Sequence, residues 1–128
     1  MIRFNTEEAC FEALGLDYNN LPDVSTFPEG DRENTTAEYV LKKVIKAHRG
    51  NWLPQPANSN QKKWFNYFWV KEDATNKSGF GFSHSITYYD HTFTYVGAPF
   101  YLPDEATAKH VRETFQHLYL AAYVGIIN

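Results

Sequence analysis

The chain has 128 residues, a formal net charge of −3 at neutral pH, and an aromatic content of 17%. That length suits a single domain, 1–128, able to bury a core without a structural metal, and the lone Cys10 excludes an intrachain disulfide. Arg3, Glu7 and Glu8 stand where a signal peptide would be apolar, and the longest apolar stretch, Leu118 to Ile127, is too short for a bilayer, so the expectation is a cytoplasmic protein with no membrane partner.

Asn5, with Glu8 three residues on, predicts a capped short helix over about 6–14, ending at Gly15. Cys10, Ala13 and Leu14 are its expected buried side. Leu16 to Arg32 contains Asn19, Asn20, Pro22, Pro28 and Gly30 and reads as a loop pinned by Leu21, Val24 and Phe27. A second helix is expected over about 36–49. Ala37, Val40, Leu41, Val44 and His48 form its apolar stripe, and Gly50 is its left-handed stop. Lys42, Lys46 and Arg49 share an outward face.

After a Pro- and Asn-rich loop, residues 63–70 carry aromatics on both alternating faces. Trp64 and Phe68 fall on one, and Phe65, Tyr67 and Trp69 on the other. Such a strand is expected to be covered on both sides or central in its sheet. The next strand, about 79–88, is expected to point Phe80, Phe82, His84, Ile86 and Tyr88 one way and Gly81, Ser83, Ser85 and Thr87 the other. A third strand is expected over about 92–97, with Phe93 and Tyr95 on its apolar face. Asp104 then caps a last helix to about 123, buried along Ala108, Val111, Phe115, Leu118 and Ala122. The predicted fold is α+β: a three-stranded antiparallel sheet packed on one face by helices, in the order α-α-β-β-β-α.

No strong catalytic signature is present, and no motif calls for a cofactor. Gly79 and Gly81 lack the further glycines and the lysine of a phosphate loop. In Ser83-His84-Ser85 strand neighbours point to opposite faces, which separates His84 from either hydroxyl. His110, Glu113 and His117, spaced i, i+3, i+7, would share one side of a continuous helix and could approach a common ion. The plainer reading of them is a solvated helix face without a fourth ligand.

Charge divides the chain. Residues 1–38 balance to −7, 42–77 to +6, and 78–128 to −2. The basic segment is also aromatic: Lys42, Lys46, Arg49, Lys62 and Lys63 flank Trp52, Trp64, Phe65, Tyr67 and Trp69. Cations neutralise phosphates and exposed rings stack on unpaired bases. That makes Lys42, Lys46, Arg49, Trp52, Lys62, Lys63 and Trp64 a candidate single-stranded nucleic-acid surface. Set against it, a core of this size needs several of those rings, and the chain as a whole is acidic.

The segments Asn51-Trp-Leu-Pro54, Asn60-Gln-Lys-Lys-Trp64, Ser78-Gly-Phe-Gly-Phe82, Tyr95-Val-Gly97 and Phe115-Gln-His-Leu-Tyr119 carry a resemblance. Over about 36–119 the chain is similar to a group of small uncharacterised proteins of gut anaerobic bacteria and their phages and prophages. It departs from their pattern after Gly97, where it reads Ala98-Pro-Phe-Tyr-Leu-Pro103. The resemblance implies a phage or mobile-element setting and no catalytic residues. The first expectation is therefore a non-enzymatic binding or assembly protein with a protein partner or a second copy. The alternatives are a single-stranded nucleic-acid binder using 42–69, and a small enzyme using His84 or the His110/Glu113/His117 face.

Overall fold

The computed structural model describes residues 2–92 and 94–125. Helix α1, Glu7–Ala13, is capped by Thr6, whose Oγ1 accepts the Ala9 amide at 3.2 Å. The cap therefore lies one residue beyond Asn5. Cys10 and Phe11 are its buried residues, while Ala13 is exposed.

Helix α2, Glu29–Arg49, begins well before residue 36. Pro28 precedes it with φ −51°, and its missing N–H costs nothing at a helix start. Glu29 and Asp31 complement the positive end of the helix dipole. Arg32 donates to the carbonyls of Phe27 and Ser25 and fixes the approach. These local interactions outweigh the loop composition that runs to Arg32. The predicted stripe is buried, joined by Ile45, and Gly50 ends the helix at φ +58°.

Strands β1, Lys63–Glu72, and β2, Phe80–Asp90, form a two-stranded antiparallel sheet. Their register runs from Lys63↔Asp90 to Trp69↔His84, after which Val70 pairs with Phe82. Ser83 is the extra residue of a β-bulge. The bulge changes which side of β2 faces where. Phe82 turns inward and stacks on Phe68 with ring centroids 4.1 Å apart. His84, Ile86 and Tyr88 share the outer face with their partners Trp69, Tyr67 and Phe65. The expected single row from Phe80 to Tyr88 is thus broken at Ser83.

The three-stranded sheet and its α-α-β-β-β-α order are corrected by the structure. Among the described residues there are two strands and four helices, in the order α-α-β-β-α-α. Phe93 lies outside the described residues. Residues 94–97 turn rather than pair: Thr94 Oγ1 accepts the Gly97 amide at 2.7 Å, and Asp90 Oδ2 accepts the Tyr95 amide at 3.3 Å. Such side-chain bonds give the backbone an alternative to a ladder and override β-propensity. A 3-10 turn at Ala98–Phe100 follows, and Leu102 then exchanges two backbone bonds with Trp64, at 3.0 and 2.8 Å.

The predicted last helix is two, α3 at Glu105–Thr114 and α4 at Gln116–Tyr123. Asp104 caps the first as expected, accepting the Thr107 amide at 2.8 Å. Phe115 leaves helical geometry, at φ −116° and ψ 29°, with its ring buried edge-on against His48. The main core lies between the helices and the inner face of the hairpin, around Leu41, Val44, Ile45, Val111, Phe115 and Tyr119. No helix among the described residues is long and apolar enough to cross a membrane.

Candidate functional site

The inner face of the hairpin carries a hydrogen-bonded chain. Arg112 donates to Thr87 Oγ1 at 3.0 Å, and Thr87 donates to Asn66 Oδ1 at 2.6 Å. The Asn66 amide donates to the Ala108 carbonyl and to the Tyr119 hydroxyl, each at 3.0 Å. Trp64, Phe68 and Phe82 fill the space around it against the helical core. Burial holds the Tyr119 phenol far above its ordinary pKa, so it stays protonated.

Among the described residues no α-helix packs on the outer face. At one end residues 95–101 fold over it. There Phe65 packs with Tyr95 and Tyr101, and Tyr101 donates to Asp90 Oδ2 at 2.6 Å. Desolvation, reinforced by the bond to Asp90, pushes the Tyr101 phenol up to about 12. Past this cover the face is open. Trp69 is 41% exposed and Tyr88 52%, and on the covering segment itself Tyr95 is 71% exposed. Tyr67 bridges Phe65 and Trp69 at 5.9 and 5.3 Å between centroids, and Trp69 stacks on His84 at 3.9 Å. Phe65, Tyr67, Tyr88, Tyr95 and Val96 enclose a shallow groove of about 460 Å³. The two-sided aromatic pattern of β1 thus arises from one helix-covered face and one largely open face, not from a strand covered on both sides.

The basic-aromatic residues of 42–64 are spread over several tasks. Arg49 is half-buried and donates to the carbonyls of Tyr101 and Ala98, each at 2.7 Å, while its guanidinium lies 5.9 Å from the Trp52 ring. Lys63 is 1% exposed, and its Nζ donates to the carbonyls of Asn58, Gln61 and His91. Lys42 pairs with Glu38 at 3.1 Å. Lys46 is exposed. Lys62 is also exposed, with its Nζ 4.7 Å from the Tyr89 ring. Trp52 and Trp64 are half-buried, and Trp64 packs on Tyr89 at 5.0 Å.

The histidine candidates separate as well. His110 Nε2 donates to the Phe4 carbonyl at 2.7 Å, and His117 Nε2 lies 2.8 Å from Glu7. Glu113 is exposed and sits 3.7 Å from Arg112. The break at Phe115 removes the continuous helix that would have aligned the three. No cluster of three or more metal-ligating side chains occurs among the described residues. His110 and His48 instead clamp the N-terminal segment, because His48 Nε2 accepts the Phe4 amide at 3.1 Å while its Nδ1 donates to the Val44 carbonyl at 2.8 Å.

At His84 the bulge corrects the expected separation from Ser83. The Ser83 hydroxyl lies 3.4 Å from His84 Nδ1, a long contact, and the same hydroxyl donates to the Trp69 carbonyl at 3.3 Å. The ring is fixed by stacking on Trp69, and among the described residues no carboxylate bonds to it, so the pair lacks the orienting group of a triad. Cys10 is buried, and desolvation, with a smaller effect of Glu7, pushes its thiol up to about 12, which makes it inert as a nucleophile.

No protein-family model, curated protein or solved structure matches this chain. Functional inference therefore rests on the geometry of its own surface. Tyr88 and Tyr95 are exposed tyrosines of this face that the basic-aromatic segment does not include. The signal that could have found Tyr88 was its alternation with Ile86 and His84. Which side that row occupies depends on the bulge.

Proposed function

We propose that this chain is a non-enzymatic binding or assembly protein of phage or mobile-element type, and that it meets its partner through the open aromatic face of the hairpin. The observation that carries the reading is the exposure of Trp69, Tyr88 and Tyr95 on that face. Large rings left in water are costly, and contiguous ones are characteristic of contact surfaces. Tyr and Trp also give wide contact area for little lost rotamer freedom. The mobile-element setting is what the sequence resemblance implies, and the single buried thiol fits a reducing cytoplasm.

Nucleic acid is the weaker partner class. Arg49 and Lys63 spend their donors on backbone carbonyls, and Lys42 is paired with Glu38, which leaves few cations for phosphates.

Sedimentation velocity across a concentration series, with wild type and Tyr88→Ala, tests the reading. Wild type is expected to self-associate or to sediment with a co-purified protein, and Tyr88→Ala to lose that association while keeping its circular dichroism. A wild type that stays monomeric and partnerless overturns it. So does tight binding of a labelled single-stranded oligonucleotide at low salt that weakens steeply as salt is raised, since that would assign the surface to nucleic acid.

A further inference from the structure

β2 has one edge paired with β1 and, among the described residues, no strand beside the other. The direction of its backbone groups follows from Trp64. Both backbone bonds of Trp64 go to Leu102, so its N–H and C=O point away from β2. Facing pairs in an antiparallel ladder alternate between bonded and non-bonded. Trp64↔Tyr89, Asn66↔Thr87 and Phe68↔Ser85 are therefore non-bonded pairs. The N–H and C=O groups of Ser85, Thr87 and Tyr89 consequently point out of the far edge of β2. Among the described residues none of them has a backbone partner outside the hairpin.

An edge of this kind is a template for another strand, and proteins commonly blunt it with lysine, proline or charge. Residues 80–89 contain no Lys, Arg, Asp, Glu or Pro. The bulge at Ser83 lies beyond the run of outward groups and leaves it regular. β1 is a poorer template, since Leu102 already occupies the start of its outer edge and Asn66 is buried.

We propose that the free edge of β2 pairs antiparallel with the same edge of a second copy, giving a twofold dimer with a continuous four-stranded sheet. The proposal rests on the assembly reading above and names its partner. A second copy is favoured by charge. The uncharged stretch 80–89 meeting itself places no like charges opposite one another, and Asp90 at its end falls opposite His84; a twofold contact requires that the patch be self-complementary. With the axis at Thr87, Thr87 faces Thr87 of the second copy and Ser85 faces Tyr89. All three outward residues then exchange their N–H···O bonds. On the outer face Ile86 falls opposite Tyr88, so the aromatic surfaces of the two copies join across the seam. Arg112, the cation beside Thr87, is already held by the Thr87 hydroxyl and by Glu113.

The test uses the full chain. Ser85→Pro deletes one outward N–H and leaves every bond between β1 and β2 in place. Wild type is expected to form a concentration-dependent dimer, and Ser85→Pro to remain monomeric. Amide exchange on wild type reads the same edge without a variant. Ser85, Thr87 and Tyr89 should be protected at dimer-forming concentrations and exchange freely on dilution, while Phe65 and Tyr67 stay protected throughout. A wild type that is monomeric at every concentration, with those three amides exchanging freely, overturns the proposal. A dimer lost in Tyr88→Ala but kept in Ser85→Pro, with the three amides still free, overturns edge pairing and leaves the aromatic-face reading standing. So does a monomer that binds a different protein through that face.

Discussion

On the helix side of the hairpin, Arg112, Thr87, Asn66 and Tyr119 pass hydrogen bonds from α3 to α4 through two strands. On the far side, Tyr67, Trp69, His84 and Tyr88 pack against one another and against water. The polar residues are the deeper ones. Asn66 is 1% exposed, while Trp69 is among the most exposed large side chains. Burial here follows what the helices cover rather than residue hydrophobicity. An asparagine is tolerated in that position because both ends of its amide are satisfied. The open aromatic side gains nothing comparable from the fold itself, and that difference is the ground for the proposed partner surface.

The largest expected break in this contrast is at Tyr119, which is fully buried and touches Phe68 and Tyr123. Tyr119→Ala leaves a cavity and strips the Asn66 amide of one acceptor, so it should cost about 4 kcal/mol in urea denaturation. Asn66→Ala keeps the surrounding rings but leaves the Thr87 hydroxyl without its acceptor and the Tyr119 phenol without its donor. It should cost about 2 kcal/mol. The two residues share a hydrogen bond, so their effects should sum to more than the double variant loses. Strict additivity would show that the chain of bonds does not act as a unit.

Much of the helical side was legible in the sequence because it follows from local chemistry. The α2 stripe from Ala37 to His48, the Gly50 stop and the Asp104 cap each depend on residues a turn apart. What was not legible depends on contacts distant in sequence, or on small choices with large consequences. One extra residue at Ser83 decides that Phe82 joins the core while His84 does not. Two side-chain acceptors, Asp90 and Thr94, turn a segment of high β-propensity into a loop. Lys63 and Arg49 read as surface cations, and only the fold of the loops around them supplies the carbonyls that absorb their donors. His110 and His117 read as neighbours on one helix, and it is the N-terminal segment, more than a hundred residues away, that takes up both rings.

That N-terminal clamp gives the helical side a pH dependence. His48 is buried, and desolvation holds its imidazole below the ordinary value of 6.5, with the nearby His110 adding to the effect. It is neutral in the fold, since Nε2 must accept the Phe4 amide. The unfolded chain therefore takes up this proton first. The stability contributed at His48 is complete above about pH 6.5 and is lost as pH falls from there towards the depressed folded pKa, by at most about 1.4 kcal/mol per unit. Thermal melts from pH 7.5 to 5 should show wild type losing stability, and His48→Gln should flatten the profile. An unchanged slope in His48→Gln would assign the dependence to other groups.

The smallest effect belongs to the open face, and it sharpens the contrast most because it compares like with like. Tyr88 and Tyr119 are the same residue on opposite sides of one two-stranded sheet. Tyr88 is half in water, beside Phe65, Tyr67 and Tyr95 at the rim of a shallow groove. Removing its ring sacrifices little buried area and no hydrogen bond of the inner network. Tyr88→Ala should therefore cost less than about 1 kcal/mol in the same urea titration, measured at a concentration low enough to keep the chain monomeric. A loss approaching that of Tyr119→Ala would mean that the outer face is itself a core element, and its exposure would no longer argue for a partner. A small loss in the dilute monomer, together with a larger one at high concentration, is the result expected of a ring whose burial is completed by association.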